Sequence, residues 1–290
     1  MLLLAAPLLW LSSFVFREAE ESEAASRTSL LISAPAVAAQ PAGKAPAEQT
    51  WGDLKGRFIF DGQPPKREKL TLNKDLAVCS RNHPLSEDLI VHPENGGLAN
   101  VVIWLELKRN EKVATHPDYE KAAVPPVVDN LDCRFAPHVT VLRAGQELTV
   151  TNSDPVAHNA AMFFNRNDPQ NLVLPERKPG QPVPFLKTKV TRAENLPTQI
   201  SCSIHAWMKG WIVVKDHPYV AVTDENGEFT IRNLPAGEWS FRVWHEAAGF
   251  LSQVEQDGKS AEWQKGVFTT AVQPGENNLG TLKVSPKLFD

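Results

Sequence analysis

From Trp51 onward, short stretches rich in β-branched and aromatic residues alternate with turn residues, and no window shows the helical period of an amphipathic helix. Examples of such stretches are Phe185–Val190, Gln199–Ile204 and Trp211–Val214. Gly, Pro, Asn and Asp separate them, as in the Glu-Asn-Gly-Gly turn at Glu94–Gly97, because Asn and Gly tolerate a positive φ. This pattern predicts an all-β protein.

Two segments lack the strand pattern. Residues 39–50 are small, polar and Pro-containing, which is typical of a linker. Asn165–Pro184 is polar and Pro-rich, so we expect a long loop there. The folded part of the chain is therefore expected to begin near Trp51 and to contain one long irregular excursion.

The first 38 residues have the features of an export segment. Met1–Phe16 is apolar, and the segment ends in Ala36-Val37-Ala38, which matches an Ala-x-Ala cleavage signature. We therefore expect residues 1–38 to be a signal peptide or an N-terminal anchor, and the protein to be periplasmic or extracellular. An uncleaved anchor would tether the chain to a membrane and still place it outside the cytoplasm.

Composition narrows the class further. With 42% hydrophobic and 22% charged residues, the chain can bury a core and is not typical of disordered proteins. Its net charge of −4 is small, and no stretch concentrates Lys and Arg, so nothing predicts a nucleic-acid partner. The 23 prolines favour a loop-rich β-protein over a helical one.

The segment Cys202-Ser-Ile-His205-Ala-Trp-Met208 places a thiolate, an imidazole and a thioether in one short turn between two predicted strands. A trigonal site of two His and one Cys, with a distant axial Met, is how proteins hold copper for electron transfer. His158, after the predicted strand Gln146–Asn152, supplies the second imidazole. We therefore predict one copper ion bound by His158, Cys202, His205 and Met208.

Two other interpretations of this segment remain open. Cys202 and Met208 are also compatible with an ordinary apolar core, in which His205 caps a turn. Zinc also binds sets of two His and one Cys, but it gains little from Met208, and the segment contains no carboxylate ligand.

Cys-x-x-His-x-x-Met between two strands, with His158-Asn159 upstream, resembles the ligand pattern of the cupredoxins, and its tight spacing is similar to that of amicyanins and pseudoazurins. Phe135–Val139 and Thr151–Asp154 resemble the strands that precede the first ligand in that family. The resemblance implies that residues 127–216 form a cupredoxin-like Greek-key β-sandwich with one type 1 copper. It also implies that Asn159 ties the two ligand loops together.

The flanking regions carry weaker signals. We expect residues 51–126 to be an N-terminal β extension of the cupredoxin unit. Residues 217–290 contain a run of turn residues and apolar positions, from Asp224 to Trp239, that resembles carboxypeptidase regulatory-like domains of transthyretin-like fold. That resemblance implies a smaller β-sandwich without catalytic residues of its own.

The cysteine count bears on the metal assignment. Three cysteines in an exported protein leave one unpaired. A disulfide between Cys79 and Cys133, which an oxidising compartment allows, would leave Cys202 free for a metal. The alternative is that Cys79 and Cys133 are both buried thiols, because a sequence does not give their separation in space.

These features together predict an exported type 1 copper protein that carries single electrons between redox partner proteins. The cupredoxin resemblance implies that His205 lies near an apolar surface patch and serves as the electron port. Multicopper oxidases and copper nitrite reductases place an extra His beside the Cys ligand, whereas Ser201 and Ser203 flank Cys202 here, so we do not expect an enzyme. The alternative function is a non-redox cell-surface interaction module whose copper is structural or lost.

Overall fold

Strands make up nearly all the regular structure of this protein, so the predicted all-β class is confirmed. The computed structural model describes residues 49–121 and 124–289. Its strands, in chain order, are β1 (Trp51–Phe60), β2 (Val102–Leu105), β3 (Val127–Leu131), β4 (Arg134–Ala136), β5 (Val139–Arg143), β6 (Glu147–Asn152), β7 (His158–Met162), β8 (Gln170–Leu174), β9 (Phe185–Lys189), β10 (Thr198–Ser201), β11 (Lys209–Lys215), β12 (Val220–Val222), β13 (Glu228–Pro235), β14 (Gly237–His245), β15 (Gly249–Phe250), β16 (Gln253–Gln256), β17 (Lys259–Glu262), β18 (Val267–Val272) and β19 (Gly275–Val284). The helical segments are α1 (Leu76–Cys79), α2 (Asp118–Lys121) and the 3-10 turns Gln264–Gly266 and Pro286–Leu288.

Strands β3 to β11 form the first β-sandwich. One of its sheets has the strand order β5-β11-β10-β7-β8, and the other has the order β4-β3-β6-β9. In β6 every second residue is buried, which is the period of a strand with one face on a core. The buried apolar side chains between the two sheets include Val128, Phe135, Leu142, Leu148, Val150, Met162, Leu174, Ile200 and Ile212.

The second β-sandwich combines strands from both ends of the described chain. β1 pairs antiparallel with β13 and parallel with β19, in a sheet of order β13-β1-β19-β16-β17. β2 pairs with β12 and β14 in the other sheet. The core that they share includes Leu54, Phe58, Ile103, Leu105, Tyr219, Phe229, Ile231, Phe241, Val243 and Leu282.

The position of β1 and β2 differs from the sequence expectation. We expected residues 51–126 to extend the copper-binding unit, because they precede it directly in the chain. β1 and β2 instead pair with strands of residues 217–290, and their apolar side chains enter that core. The alternation of a strand predicts which of its faces is buried but not which sheet covers that face.

The two sandwiches pack against each other through strands that are buried on both faces. In β11, Ile212 and Val214 face the first core, whereas Val213 belongs to a separate apolar cluster. In β2, Ile103 belongs to the second core and Trp104 to that same cluster. The cluster consists of Val102, Trp104, Val139, Val213 and Trp244. Such strands are continuous apolar runs in the sequence, because neither face meets water.

The expected loop at Asn165–Pro184 contains a strand. β8 pairs with β7 through five residue pairs, from His158 opposite Leu174 to Met162 opposite Gln170. β8 is the edge strand of its sheet, and only its last residue is fully buried. An edge strand of this kind needs no apolar alternation, which is why its polar sequence indicated a loop.

The predicted export segment, residues 1–38, and all but the last two residues of the linker 39–50 lie outside the described residues. Within residues 49–121 and 124–289, no helix has the length and apolar character needed to cross a membrane.

Cys79 and Cys133 form a disulfide, which confirms that prediction. Cys79 ends α1, and Cys133 lies in the turn between β3 and β4. The third cysteine, Cys202, is free and buried. The disulfide therefore anchors the segment before β2, which is otherwise poor in regular structure, onto the first sandwich.

A buried ion-pair network crosses the junction between the sandwiches. His138, beside the start of β5, hydrogen-bonds through Nε2 to Glu246, which follows β14. On the other side of the ring, Glu87 Oε2 lies 3.6 Å from His138 Nδ1. Burial by itself would lower the pKa of His138, but its hydrogen bond with Glu246 and the charges of Glu246 and Glu87 raise it to about 9.

We expect His138 to make the stability of the fold depend on pH. Its pKa in the folded state lies above the ordinary value of about 6.5, so protonated His138 contributes stability that is fully present below about pH 6.5. That contribution is lost as the pH rises through 9. The difference in free energy of unfolding between the wild type and His138→Gln, measured in urea, should therefore shrink over this range. A constant difference would contradict a protonated His138.

Candidate metal centre

The candidate ligands lie where two strand connections meet at one end of the first sandwich. His158 and Asn159 are the first two residues of β7. Cys202 follows β10 directly, and Met208 precedes β11 directly. The loop between β10 and β11 is closed by two backbone hydrogen bonds, from Cys202 N to Met208 O (3.2 Å) and from Met208 N to His205 O (2.9 Å). This tight closure turns His205 back toward β7.

Three of the predicted ligands converge on one point. His158 Nδ1 lies 3.0 Å from His205 Nδ1, and each of these nitrogens lies 3.9 Å from Cys202 Sγ. Both imidazoles are fully buried, and Cys202 is 2% exposed. Three donors placed about 2.0 to 2.3 Å from a shared centre, in its plane, are separated by roughly 3.5 to 3.7 Å. The two Sγ–Nδ1 sides are close to these separations, whereas the Nδ1–Nδ1 side is shorter, so the triangle is near the size of a trigonal metal site without matching it on every side.

Two carboxylates determine how the imidazoles are oriented. Asp154 Oδ2 lies 2.9 Å from His158 Nε2, and Asp75 Oδ2 lies 2.8 Å from His205 Nε2. An ionised carboxylate only accepts hydrogen bonds, so each Nε2 atom carries a proton and donates it. When both imidazoles are neutral, both Nδ1 atoms present lone pairs to Cys202 Sγ. Repulsion between these lone pairs and a thiolate is relieved by a cation between the three donors, either a metal ion or a proton on His158 Nδ1.

The pKa values follow from the same contacts. Burial by itself would raise the pKa of Cys202, but hydrogen bonds from His158 and from backbone N–H groups lower it below its usual value. Burial would lower the pKa of His158, but its hydrogen bonds with Asp154 and Cys202 raise it. For His205 burial prevails, aided by the nearby charge of His158, and the pKa is lowered despite the carboxylate of Asp75. The cluster therefore favours the thiolate form of Cys202.

Asn159 ties the two ligand loops together, as the cupredoxin resemblance implies. Its Oδ1 accepts hydrogen bonds from the backbone N–H groups of Ser203 (2.8 Å) and Ile204 (3.3 Å). Its own backbone N–H points at Cys202 Sγ, 3.4 Å away. Its Nδ2 donates to Asn171 Oδ1 on β8 at 2.8 Å. The loop that carries Cys202 is thereby held against the strand that carries His158.

Met208 is buried in the same apolar core as Cys202 and is 2% exposed. Its backbone closes the ligand loop, as described above. Met208 also lines a cavity of about 200 Å³ together with Trp207, His138 and Glu87. Its position at the end of the loop agrees with the predicted motif, and its role as an axial ligand stays a prediction.

His205 does not lie at an exposed apolar patch, which differs from what the resemblance implies. Its imidazole has no exposed surface. The ring of Trp207 lies 5.1 Å from it, centroid to centroid, and the Asp75 carboxylate covers its Nε2 edge. Asp75 comes from a segment 130 residues earlier in the chain. The resemblance covers residues 127–216 and so gives no information about this segment.

The carboxylates Asp154 and Asp75 were missed as functional residues. Asp154 is four residues before His158, in a stretch that we identified for its family resemblance without giving the carboxylate a role. The signal that could have found it is a carboxylate near a ligand imidazole, since metal-binding His usually donates its other N–H to such a group. For Asp75 the sequence offers no comparable signal.

A second group of metal-binding residue types, Cys133, Asp154 and His158, overlaps this cluster. The sulfur of Cys133 is in the disulfide with Cys79 and is therefore not a free thiolate ligand. The group of His158, Cys202 and His205 is thus the one with three available donors.

Comparison with known proteins finds likeness in structure but not in sequence. No family model and no curated protein matches this chain. The oxidised state of an amicyanin mutant is 17% identical and covers 31% of this chain and 82% of its own, with a TM-score of 0.27. The Cu(I) form of another amicyanin mutant is 21% identical and covers 40% and 99%, with a TM-score of 0.26. A copper-containing nitrite reductase from Thermus scotoductus is 24% identical and covers 31% of this chain and 22% of its own, with a TM-score of 0.25.

The fold and the cluster define the class of this protein as an all-β sandwich protein with a buried His-Cys-His cluster that could hold a metal ion. Amicyanin and copper nitrite reductase are among its structural neighbours. These neighbours give no support to the transthyretin-like resemblance of residues 217–290. Likeness at this level carries no argument about the function of this chain.

We predict that Asn159→Ala destabilises the metal-free protein. The substitution removes the acceptor of the Ser203 and Ile204 N–H groups, and the loss of these two part-buried hydrogen bonds costs about 1 to 3 kcal/mol together. Urea denaturation should show the midpoint shift, with Asn171→Ala as the control. Asn171 is exposed, and its side chain accepts a hydrogen bond from Asn159 Nδ2. Its replacement leaves the bonds to Asn159 Oδ1 in place and should change stability by less than about 0.5 kcal/mol. Equal effects of the two variants would contradict the tie between the loops.

Proposed function

We propose that this chain is an exported type 1 copper protein that transfers one electron at a time. The observation that carries the proposal is the convergence of His158 Nδ1, His205 Nδ1 and Cys202 Sγ on one buried point. Both Nε2 atoms donate to carboxylates, so in the neutral imidazoles the lone pairs are on the Nδ1 atoms. These are the nitrogens that converge with Cys202 Sγ and would bind a metal.

The donor set fits copper better than zinc. One thiolate and two imidazoles, with a thioether at a distance, suit both Cu(I) and Cu(II) and so supply one-electron chemistry. Zinc would gain little from Met208. The carboxylates nearest to the cluster, Asp75 and Asp154, hydrogen-bond to the Nε2 atoms instead of standing free as ligands.

The protein's contribution to electron transfer is a donor set that does not move. The ligand loop is closed by its own backbone hydrogen bonds and tied to β7 by Asn159. Burial of all three donors excludes water from the site. Because the same geometry can then serve both oxidation states, little reorganisation accompanies the gain or loss of an electron.

A carrier is favoured over an enzyme by the residues beside the thiolate. The copper enzymes of the cupredoxin family place a His next to the Cys ligand, whereas Ser201 and Ser203 flank Cys202. A second candidate function, an interaction module with static copper, is favoured by one observation. His205 has no exposed surface through which an electron could pass directly to a docked partner.

Export and redox partners complete the proposal. The Cys79–Cys133 disulfide supports an oxidising compartment such as the periplasm or the cell surface. Residues 1–38 would be a cleaved signal peptide or a membrane tether. The partners would be other redox proteins that donate and accept single electrons.

The visible spectrum of protein reconstituted with Cu(II) tests the proposal. A strong thiolate-to-copper band should appear in the wild type and vanish in Cys202→Ser, because a hydroxyl is a poor donor for this site. A colourless wild-type protein that binds copper would contradict the carrier and favour the interaction module.

Met208→Leu separates an axial ligand from a core residue. The variant should keep bound, coloured copper, because the thiolate and the imidazoles hold the metal. Its reduction potential should rise, because Cu(II) loses more from the missing donor than Cu(I) does. Voltammetry measures the shift, and Met162→Leu is the matched control, since Met162 is fully buried in the same core outside the ligand loop. An unchanged potential in Met208→Leu would show that Met208 is not a ligand.

A further inference from the structure

A loop between β1 and β2 closes over the candidate metal centre. We name residues 68–86 the covering loop. Its two ends are joined by backbone hydrogen bonds from Ser86 N to Glu68 O (2.8 Å) and from Leu70 N to Pro84 O (3.1 Å). Leu72 and Val78 pack against the core of the first sandwich. The covering loop is therefore a compact unit seated on that sandwich.

Asp75 is the point where the covering loop contacts the candidate ligands. It adopts a left-handed backbone conformation, with φ of 47°, just before α1. Its carboxylate makes no capping hydrogen bond to α1 and instead accepts from His205 Nε2. Asp tolerates this conformation better than most residues but does not prefer it. Asp75 thus combines a strained backbone conformation with a side chain that orients the imidazole of His205.

The Cys79–Cys133 disulfide anchors this contact, because Cys79 is four residues after Asp75. The other half of the disulfide, Cys133, also lies close to the candidate ligands. The N–H groups of Asp132 and Cys133 each donate to the Asp154 carboxylate at 2.8 Å, and Asp154 orients His158. The disulfide therefore links the segment that carries Asp75 to the turn whose N–H groups hold Asp154 in place.

Trp207 closes the remaining side. Its Nε1 donates to Cys133 O at 3.2 Å, and its ring lies beside His205. The Cys133 backbone, Trp207 and Asp75 together leave His205 without exposed surface. A metal ion has no open route to the three donors while the covering loop is in place.

We infer that the covering loop is a disulfide-latched closure of the metal centre, in which Asp75 is a positioning residue for His205 and the metal enters and leaves only when the loop is displaced. The entry and exit of the metal rest on the proposed function. The closure of the three donors by the covering loop is independent of that function.

Access can be measured without any metal. Cys202 is the free thiol of the wild type, and it remains the only cysteine in the double variant Cys79→Ser/Cys133→Ser. A thiol reagent added to native, metal-free protein should modify Cys202 at least about tenfold faster in the double variant, since a covered thiol reacts only through local opening. Labelling of unfolded, unreduced wild type, with one modified cysteine expected, verifies that the disulfide has formed.

Asp75→Gly tests the positioning role while keeping the disulfide. Glycine adopts the left-handed conformation without strain, so the variant removes the carboxylate alone. Copper-loaded protein is mixed with excess EDTA, and the retained copper is measured after gel filtration. Removing a residue that orients a metal ligand usually lowers metal affinity about 10- to 100-fold, and we expect that loss as release faster by the same factor than in the wild type.

Two further variants test whether the effect comes from the carboxylate of Asp75 itself. Asp75→Asn keeps an acceptor oxygen for His205 Nε2 and should restore part of the slow release. It should also raise the reduction potential, because a negative charge that favours the oxidised metal is lost. Asp168→Asn removes an exposed carboxylate that makes no contact with a ligand, and both its release rate and its potential should match the wild type.

The outcomes separate the inference from the proposed function. Equal labelling of Cys202 in the wild type, the double variant and Asp75→Gly would overturn the closure, even if every protein showed the thiolate-to-copper band. Faster labelling without that band would overturn the copper carrier and leave the closure standing. If the double variant does not fold, labelling and copper release in Asp75→Gly decide the inference on their own.

Discussion

The candidate metal centre depends above all on the buried carboxylate of Asp154. One oxygen accepts the N–H of Asp132, and the other accepts the N–H of Cys133 and faces His158 Nε2. Asp132 and Cys133 both have a positive φ, which turns their N–H groups toward the carboxylate. Without Asp154, His158 Nε2 and the N–H groups of Asp132 and Cys133 would lose their acceptor. A single side chain thus joins the turn between β3 and β4, the disulfide and the metal cluster.

The second sandwich supports the site from a distance. Its strands β2 and β14 pack against β5 and β11 through the cluster around Trp104, Val213 and Trp244. β11 begins directly after the ligand loop, so its position determines where Met208 stands. β1 and β2 both belong to the second sandwich, so the segment between them, which contains the covering loop, starts and ends on that sandwich. The chain therefore spans the metal centre on its way between two strands of another core.

The candidate metal centre is covered on the side of His205. The imidazole of His205 lies against Asp75 and Trp207 and has no exposed surface. If the site holds copper, as proposed, an electron would have to pass through the protein atoms that shield the donors. The same atoms separate the donors from water.

The sequence by itself determined the all-β class and the close spacing of the candidate ligands Cys202, His205 and Met208. These are local properties: strand alternation is written in neighbouring residues, and Cys202, His205 and Met208 share one turn. Only the tertiary structure decided that β1 and β2 belong to the second sandwich, that β8 is a strand, and that Asp75 reaches His205. The physical reason is that a polar side chain or an edge strand acquires its role from a partner far away in the chain. Asp75 and His205 are 130 residues apart, and no periodicity in either segment records that they meet.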